Sequence, residues 1–133
     1  MVTDLEILAG LSALSSLEID NCSISSLESL SQVSELRYLS CNNTLIRDLS
    51  PLKNLEKLSV LSLDNTEITS LKDLNNKDNL TKIYCDNTLL GKQKALDFMN
   101  QNPHVLVVYE SRELQQWFEG LSPDWILVFM EYV

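Results

Sequence analysis

Apolar residues recur along this chain in two alternating rhythms. In the stretch LRYLSCNNTLIRDLSPLKNLEK, residues 36–57, Leu39 and Cys41 stand two apart, whereas Ile46, Leu49, Leu52 and Leu55 stand three apart. A spacing of two puts side chains on one face of a β-strand. A spacing of three suits extended turns or short 3-10 segments, in which residues i and i+3 eclipse. The pattern therefore predicts short strands, each followed by a tight return made of turns.

The double rhythm is periodic. Leu14, Leu36, Leu58, Leu80 and Asn102 align at a constant step of 22 residues without a gap. Full units occupy residues 14–35, 36–57, 58–79 and 80–101, with a half unit at 1–13 and a last strand at 102–109. One strand of this kind cannot bury its apolar side alone. Units must stack in parallel, each covering the last, which predicts an α/β repeat: a right-handed solenoid with a parallel sheet on the concave face and 3-10 or irregular turns on the convex one. The fourth unit departs from the template, because Ala95, Leu96 and Met99 fall at helical spacing and predict a helix of about two turns in its convex half.

The units fit the pattern LxxLxLxxNxIxxLxxLxxL over about residues 2–109 and so resemble the leucine-rich repeat family, in the 22-residue form of bacterial internalin-like proteins. In that family the ninth position is most often an asparagine whose side chain bonds neighbouring backbone in a ladder between repeats. Here the ninth position holds Cys22, Thr44, Thr66 and Thr88, and the resemblance implies that a hydroxyl or thiol serves instead. The resemblance also implies a non-catalytic module that binds a protein or peptide on the strand face.

Residues 110–133 read as a helical tail that caps the last strand. Ser111 is a candidate N-cap, and Ser122, Pro123 and Asp124 form a second helix start. The segment WFEGLSPDW is similar to a tryptophan-flanked tail found beside leucine-rich repeats in bacterial proteins, many of them from Bacteroidetes. Those tails usually turn basic, whereas here ILVFMEYV is nearly all apolar. Leu5 and Leu8 at one end and Trp117, Trp125 and Phe129 at the other are the expected cap contacts. A structural alternative is self-association through the N-terminal edge or this apolar tail, giving a homo-oligomer.

Composition narrows the function. Nineteen acids against 10 bases give a formal charge of −9, which repels nucleic acid and anionic membrane surfaces. No apolar run reaches the roughly 18 residues of a membrane span, and the N-terminus MVTDLEILAG lacks the basic start of a signal peptide. Three cysteines match neither a disulfide framework nor a metal pair and read as reduced thiols, so the expected location is the cytoplasm, with a surface adhesin as the outlying reading.

Catalysis would have to pass through the single histidine, His104, with Ser62 or Cys85 as the nearest candidate nucleophiles, and no elbow motif or glycine-rich loop accompanies them. No cofactor or metal is expected. The seventh-position column Asp20, Asn42, Asp64 and Asp86 offers oxygen ligands, but such residues at a strand exit ordinarily bond their own backbone. The outward third and fifth strand positions supply the expected binding surface: Glu18, Tyr38, Val60, Ser62, Lys82, Tyr84 and His104. Tyrosines among polar residues suit such a role, each offering a rigid apolar ring with a hydrogen-bonding tip.

Overall fold

A computed structural model describes residue 8 and residues 10–109. Five three-residue strands form one parallel sheet in sequence order: β1 Ser16–Glu18, β2 Tyr38–Ser40, β3 Val60–Ser62, β4 Lys82–Tyr84 and β5 Leu106–Val108. Parallel strands that neighbour one another in sequence are joined by crossovers of right-handed sense. Three of these crossovers carry a single 3-10 turn, at Glu28–Leu30, Ser50–Leu52 and Lys72–Leu74. The fourth carries the helix α1, Lys92–Gln101.

The two rhythms of the sequence become two walls of one core. Leu39, Leu61 and Ile83 point inward from the strands, and Ile24, Leu27, Leu30, Ile46, Leu52, Leu55, Ile68 and Leu74 point inward from the returning turns, none more than 1% exposed. Burying a leucine or isoleucine contributes about 1.5–3 kcal/mol. Because each unit buries its side chains mainly against the next, that gain is shared between neighbours. The backbone ladder outlasts the short strands: Asn21, Asn43 and Asn65 donate their amides to Asn42, Asp64 and Asp86 in the following units.

Three residues past each of the first four strands stands an asparagine in the left-handed backbone region: Asn21, Asn43, Asn65 and Asn87, with φ of 61°, 57°, 57° and 53°. Asparagine tolerates that conformation better than most residues, which explains a column of asparagines at the eighth position of every unit. The turn directs the chain out of the sheet and into the convex return.

The step between units is not constant to the end. Tyr38, Val60 and Lys82 pair in register at intervals of 22, but Lys82 pairs with Leu106 and Tyr84 with Val108, a step of 24. The gapless alignment at Asn102 is therefore corrected by two residues. The cause is α1: a helix advances only about 1.5 Å per residue against about 2.0 Å in a 3-10 turn, so spanning the same return takes more chain. The helix is also longer than the spacing predicted, at ten residues, and it buries Ala95 and Phe98, while Leu96 is 37% exposed.

Leu8 is half-buried against the core. The remaining expected cap contacts, Leu5, Trp117, Trp125 and Phe129, lie outside the described residues, as does the whole helical tail.

Candidate functional site

The strand face carries two rows of outward side chains set by register. The third-position row reads Ser16, Tyr38, Val60, Lys82 and Leu106, and the fifth-position row reads Glu18, Ser40, Ser62, Tyr84 and Val108. Ser16, Glu18 and Lys82 are exposed, Tyr38, Val60, Tyr84 and Val108 are half-buried, and Leu106 is 46% exposed. Adjacent strands lie about 4.8 Å apart; Tyr38 pairs with Val60, Tyr84 stands diagonally across from Val60 and pairs with Val108, and Lys82 lies between Val60 and Leu106, so an aromatic and aliphatic strip runs obliquely from β2 to β5.

Two expected members of this surface are placed otherwise: Ser62 is buried, and His104, though exposed, lies off the strands. Ser62 is only 8% exposed, and its hydroxyl donates to Asn42 Oδ1 at 2.8 Å. His104 lies in the turn ahead of β5, not on it, because of the two-residue shift, and its Nε2 sits 2.8 Å from the Lys77 carbonyl oxygen. Glu18, Tyr38, Val60, Lys82 and Tyr84 remain on the strand face.

The groups considered for catalysis make other contacts, the Ser62 hydroxyl with Asn42 and the His104 ring with the Lys77 carbonyl. Cys41 and Cys85 are buried, and desolvation pushes both thiols up to about 12, which suppresses the nucleophilic thiolate. The Cys41 thiol points at the Ser62 carbonyl, 3.7 Å away, and Cys22 is half-buried with its sulfur 3.5 Å from the Asp20 carbonyl. Among the described residues no group of histidine, cysteine and acidic side chains is placed to hold a metal ion, and no helix is long and apolar enough to cross a membrane.

Along the carboxyl margin of the sheet runs a polar ladder that joins successive units. Asp20 Oδ1 accepts the Asn42 amide and the Ser40 hydroxyl, at 2.8 and 2.6 Å. Asn42 Oδ1 takes the same two donors one unit on, Asp64 N and Ser62 Oγ, and Asp64 Oδ1 accepts the Asp86 amide at 2.8 Å. Outside it, Asn43 Nδ2 donates to Asn21 Oδ1 and Asn87 Nδ2 to Asn65 Oδ1. The ladder between repeats thus belongs to the seventh and eighth positions. The ninth-position hydroxyls of Thr44, Thr66 and Thr88 bond within their own units, to the carbonyls of Cys41, Leu63 and Cys85. The seventh-position side chains reach the following unit's backbone, not their own.

Stacking acids in this way has an electrostatic consequence. Burial raises the Asp64 carboxyl above its ordinary range, and the charges of Asp86 and Asp20 add to the rise against the lowering effect of the Asp86 amide. Asn42 interrupts the column and keeps its geometry without a charge.

Sequence reasoning passed over Lys77, which occupies the column of Val33 and Leu55 and is only 2% exposed. Its ammonium donates to the carbonyls of Lys53 and Leu55, at 2.9 and 3.1 Å, which follow the preceding 3-10 turn. Burial lowers its pKa while Glu56 opposes that shift. The backbone just before it explains the inward turn. The residues after the two earlier 3-10 turns, Ser31 and Lys53, are right-handed, whereas Asn75 is extended and Asn76 has φ 62°. A buried Asn102 clips this altered corner to α1. Its Oδ1 accepts the Asn76 amide, and its Nδ2 donates to Asn75 Oδ1 and the Phe98 carbonyl. A lysine breaking an apolar column was the available signal.

Residues 34–76 match the family model for leucine-rich repeats, in two copies. The fold is similar to internalin C2 from Listeria monocytogenes, with a TM-score of 0.74 at 30% identity over 80% of this chain and 46% of that one. It is also similar to the internalin inlF of the same species, at 27% identity and TM-score 0.74 over 80% of this chain and 31% of that one. A leucine-rich-repeat protein of Leptospira interrogans shares the fold at 23% identity and TM-score 0.72, over 79% and 28% of the two chains. The chain spans less than half the length of each of these structures. No functionally curated protein matches it in sequence. With its repeat, its parallel sheet and these similarities, the chain folds as a leucine-rich-repeat solenoid similar to those of the internalins.

Proposed function

We propose that the chain is a non-catalytic binding module that holds a protein or peptide on its concave strand face. The observation that carries this reading is the strip Tyr38, Val60, Tyr84, Leu106 and Val108, which lies across four adjacent strands and is half-buried or exposed at every position. Aromatic side chains on a rigid sheet bind with little loss of conformational freedom, and tyrosine is enriched among residues that dominate interface energies. The backbone beneath them is held on both sides by parallel pairing in β2, β3 and β4. Placing His104 against the Lys77 carbonyl and Ser62 against Asn42 favours binding over catalysis.

The test is capture of partners from lysate of the source cells by the wild-type chain and by Tyr38→Ala and Tyr84→Ala. Partners held by the wild type and lost from the variants support the strand face. Partners retained equally by all three place binding elsewhere.

A further inference from the structure

The oblique course of the apolar strip fixes the shape of a partner that would cover it, given the strand-face reading above. Tyr38 and Val60 stand in register on β2 and β3, and Tyr84 and Val108 stand in register two residues further along β4 and β5. Three strand spacings of about 4.8 Å and one step of about 7 Å along the strands separate Tyr38 from Val108 by about 16 Å. Four residues on one face of an α-helix, at i, i+4, i+7 and i+11, span about 16.5 Å at a rise of about 1.5 Å per residue. Four same-side residues of an extended segment span about 20 Å and overshoot the strip by nearly a strand spacing. The length therefore fits a helix lying across the strands. Charge on the amino-terminal side of the strip is of one sign, because the second and third positions of the first four units hold Arg37 and Lys82 and no acid. Lys82 lies in register between Val60 and Leu106, is exposed, and has no hydrogen bond or ion pair among the described residues.

We propose that the strand face takes an amphipathic protein helix with apolar residues at i, i+4, i+7 and i+11 and acidic residues along one flank. The apolar stripe lies on Tyr38, Val60, Tyr84 and Val108, in the way that grooves read helices through anchors three and four residues apart. A carboxylate on the flank meets Lys82 and sets the rotation of the helix about its own axis. Asp20, Asp64 and Asp86 line the opposite margin and repel acids there, which confines the carboxylates to one flank. The helix of a second copy of this chain is a poor occupant, because the apolar Ala95 and Phe98 of α1 are already buried in its own core.

The experiment uses the full chain and labelled, capped peptides of about 15 residues on an alanine-glutamine background, long enough to hold a helix once bound. One carries leucine at i, i+4, i+7 and i+11 with glutamates along one flank. A second exchanges those glutamates for lysines, and a third places the same leucines at every second position. Binding is read by fluorescence anisotropy and peptide helicity by circular dichroism. The glutamate-flanked stripe should bind best and gain helix on binding. Lys82→Glu, at an exposed position, should weaken it about five- to tenfold and improve the lysine-flanked peptide. Equal binding of the alternating-leucine peptide, or no measurable binding of the glutamate-flanked stripe, overturns the proposal, as does Lys82→Glu leaving both affinities unchanged. In any of those cases, loss of lysate partners from Tyr38→Ala and Tyr84→Ala keeps the strand-face reading alone, and their retention removes both readings.

Discussion

The Asn42 side-chain oxygen holds the backbone amide of Asp64, 22 residues away, at 2.8 Å and simultaneously accepts the Ser62 hydroxyl. One side chain therefore ties two repeats together at the sheet margin, and the same bond recurs from Asp20 to Asn42 and from Asp64 to Asp86.

Removing that oxygen strands two donors. Asn42→Ala should destabilise the chain by about 1–3 kcal/mol, the cost of leaving partly buried donors unsatisfied. Urea unfolding followed by circular dichroism should show a lower midpoint at an unchanged slope. Asn42→Asp keeps the acceptor but completes a four-carboxylate column, so its loss should appear at neutral pH and shrink in acid.

Asp64→Asn should have the opposite sign. Because the folded Asp64 carboxyl lies above its unfolded value of 3.8, its contribution is fully present below that value and is lost as pH rises through the folded pKa. The asparagine variant should match the wild type near pH 3.5 and exceed it at pH 7. Since Asp64 is only partly buried, solvent screening limits the gain to a few tenths of a kcal/mol up to about 1 kcal/mol. A neutral-pH stability below that of the wild type would show that the column does not strain the fold.

Lys77 sits where the repeat pattern asks for an apolar residue, so template matching predicts that an apolar replacement helps. The structure predicts the reverse. Lys77→Met leaves the carbonyls of Lys53 and Leu55 without their donor and should cost about 1–3 kcal/mol. Equilibrium denaturation of the single variant decides between the two, and an increase in stability would show that the buried charge outweighs its two bonds.

The repeat itself was legible because leucine spacing reports stacking directly: Leu39, Leu61 and Ile83 could only be inward strand residues, and they are completely buried. The outward positions of Tyr38, Val60 and Tyr84 followed from the same alternation. The last unit was less legible. Nothing in the spacing of Ala95, Leu96 and Met99 states how much chain a helix consumes before the sheet resumes, so His104 was placed two residues too far along. The ladder was misplaced for a different reason. Asp20, Asn42 and Asp64 can bond either their own turn or the next unit's amide, and only the stacking distance between units selects the second.

Asn102 should matter locally. Asn102→Ala removes three hydrogen bonds at the corner between Asn75, Asn76 and the end of α1, and about 2–3 kcal/mol of stability should go with them. Native-state hydrogen exchange should quicken first at Leu106 and Cys85, whose amides pair β4 with β5, and last near β2. Uniform acceleration along the sheet would mean that the solenoid opens as one unit.

Affinity of the chain for a captured partner, compared among three variants, decides whether the strand face is the binding site. Tyr38→Ala and Tyr84→Ala remove apolar area from that face, whereas Leu89→Ser removes an equally apolar side chain, 66% exposed, from the tenth position beyond the strands. The expected result is a loss of about tenfold or more for each tyrosine variant, in keeping with aromatic anchors at other interfaces, and an unchanged affinity for Leu89→Ser. Unchanged affinity in both tyrosine variants, with a loss in Leu89→Ser, would contradict the assignment and move the site off the sheet.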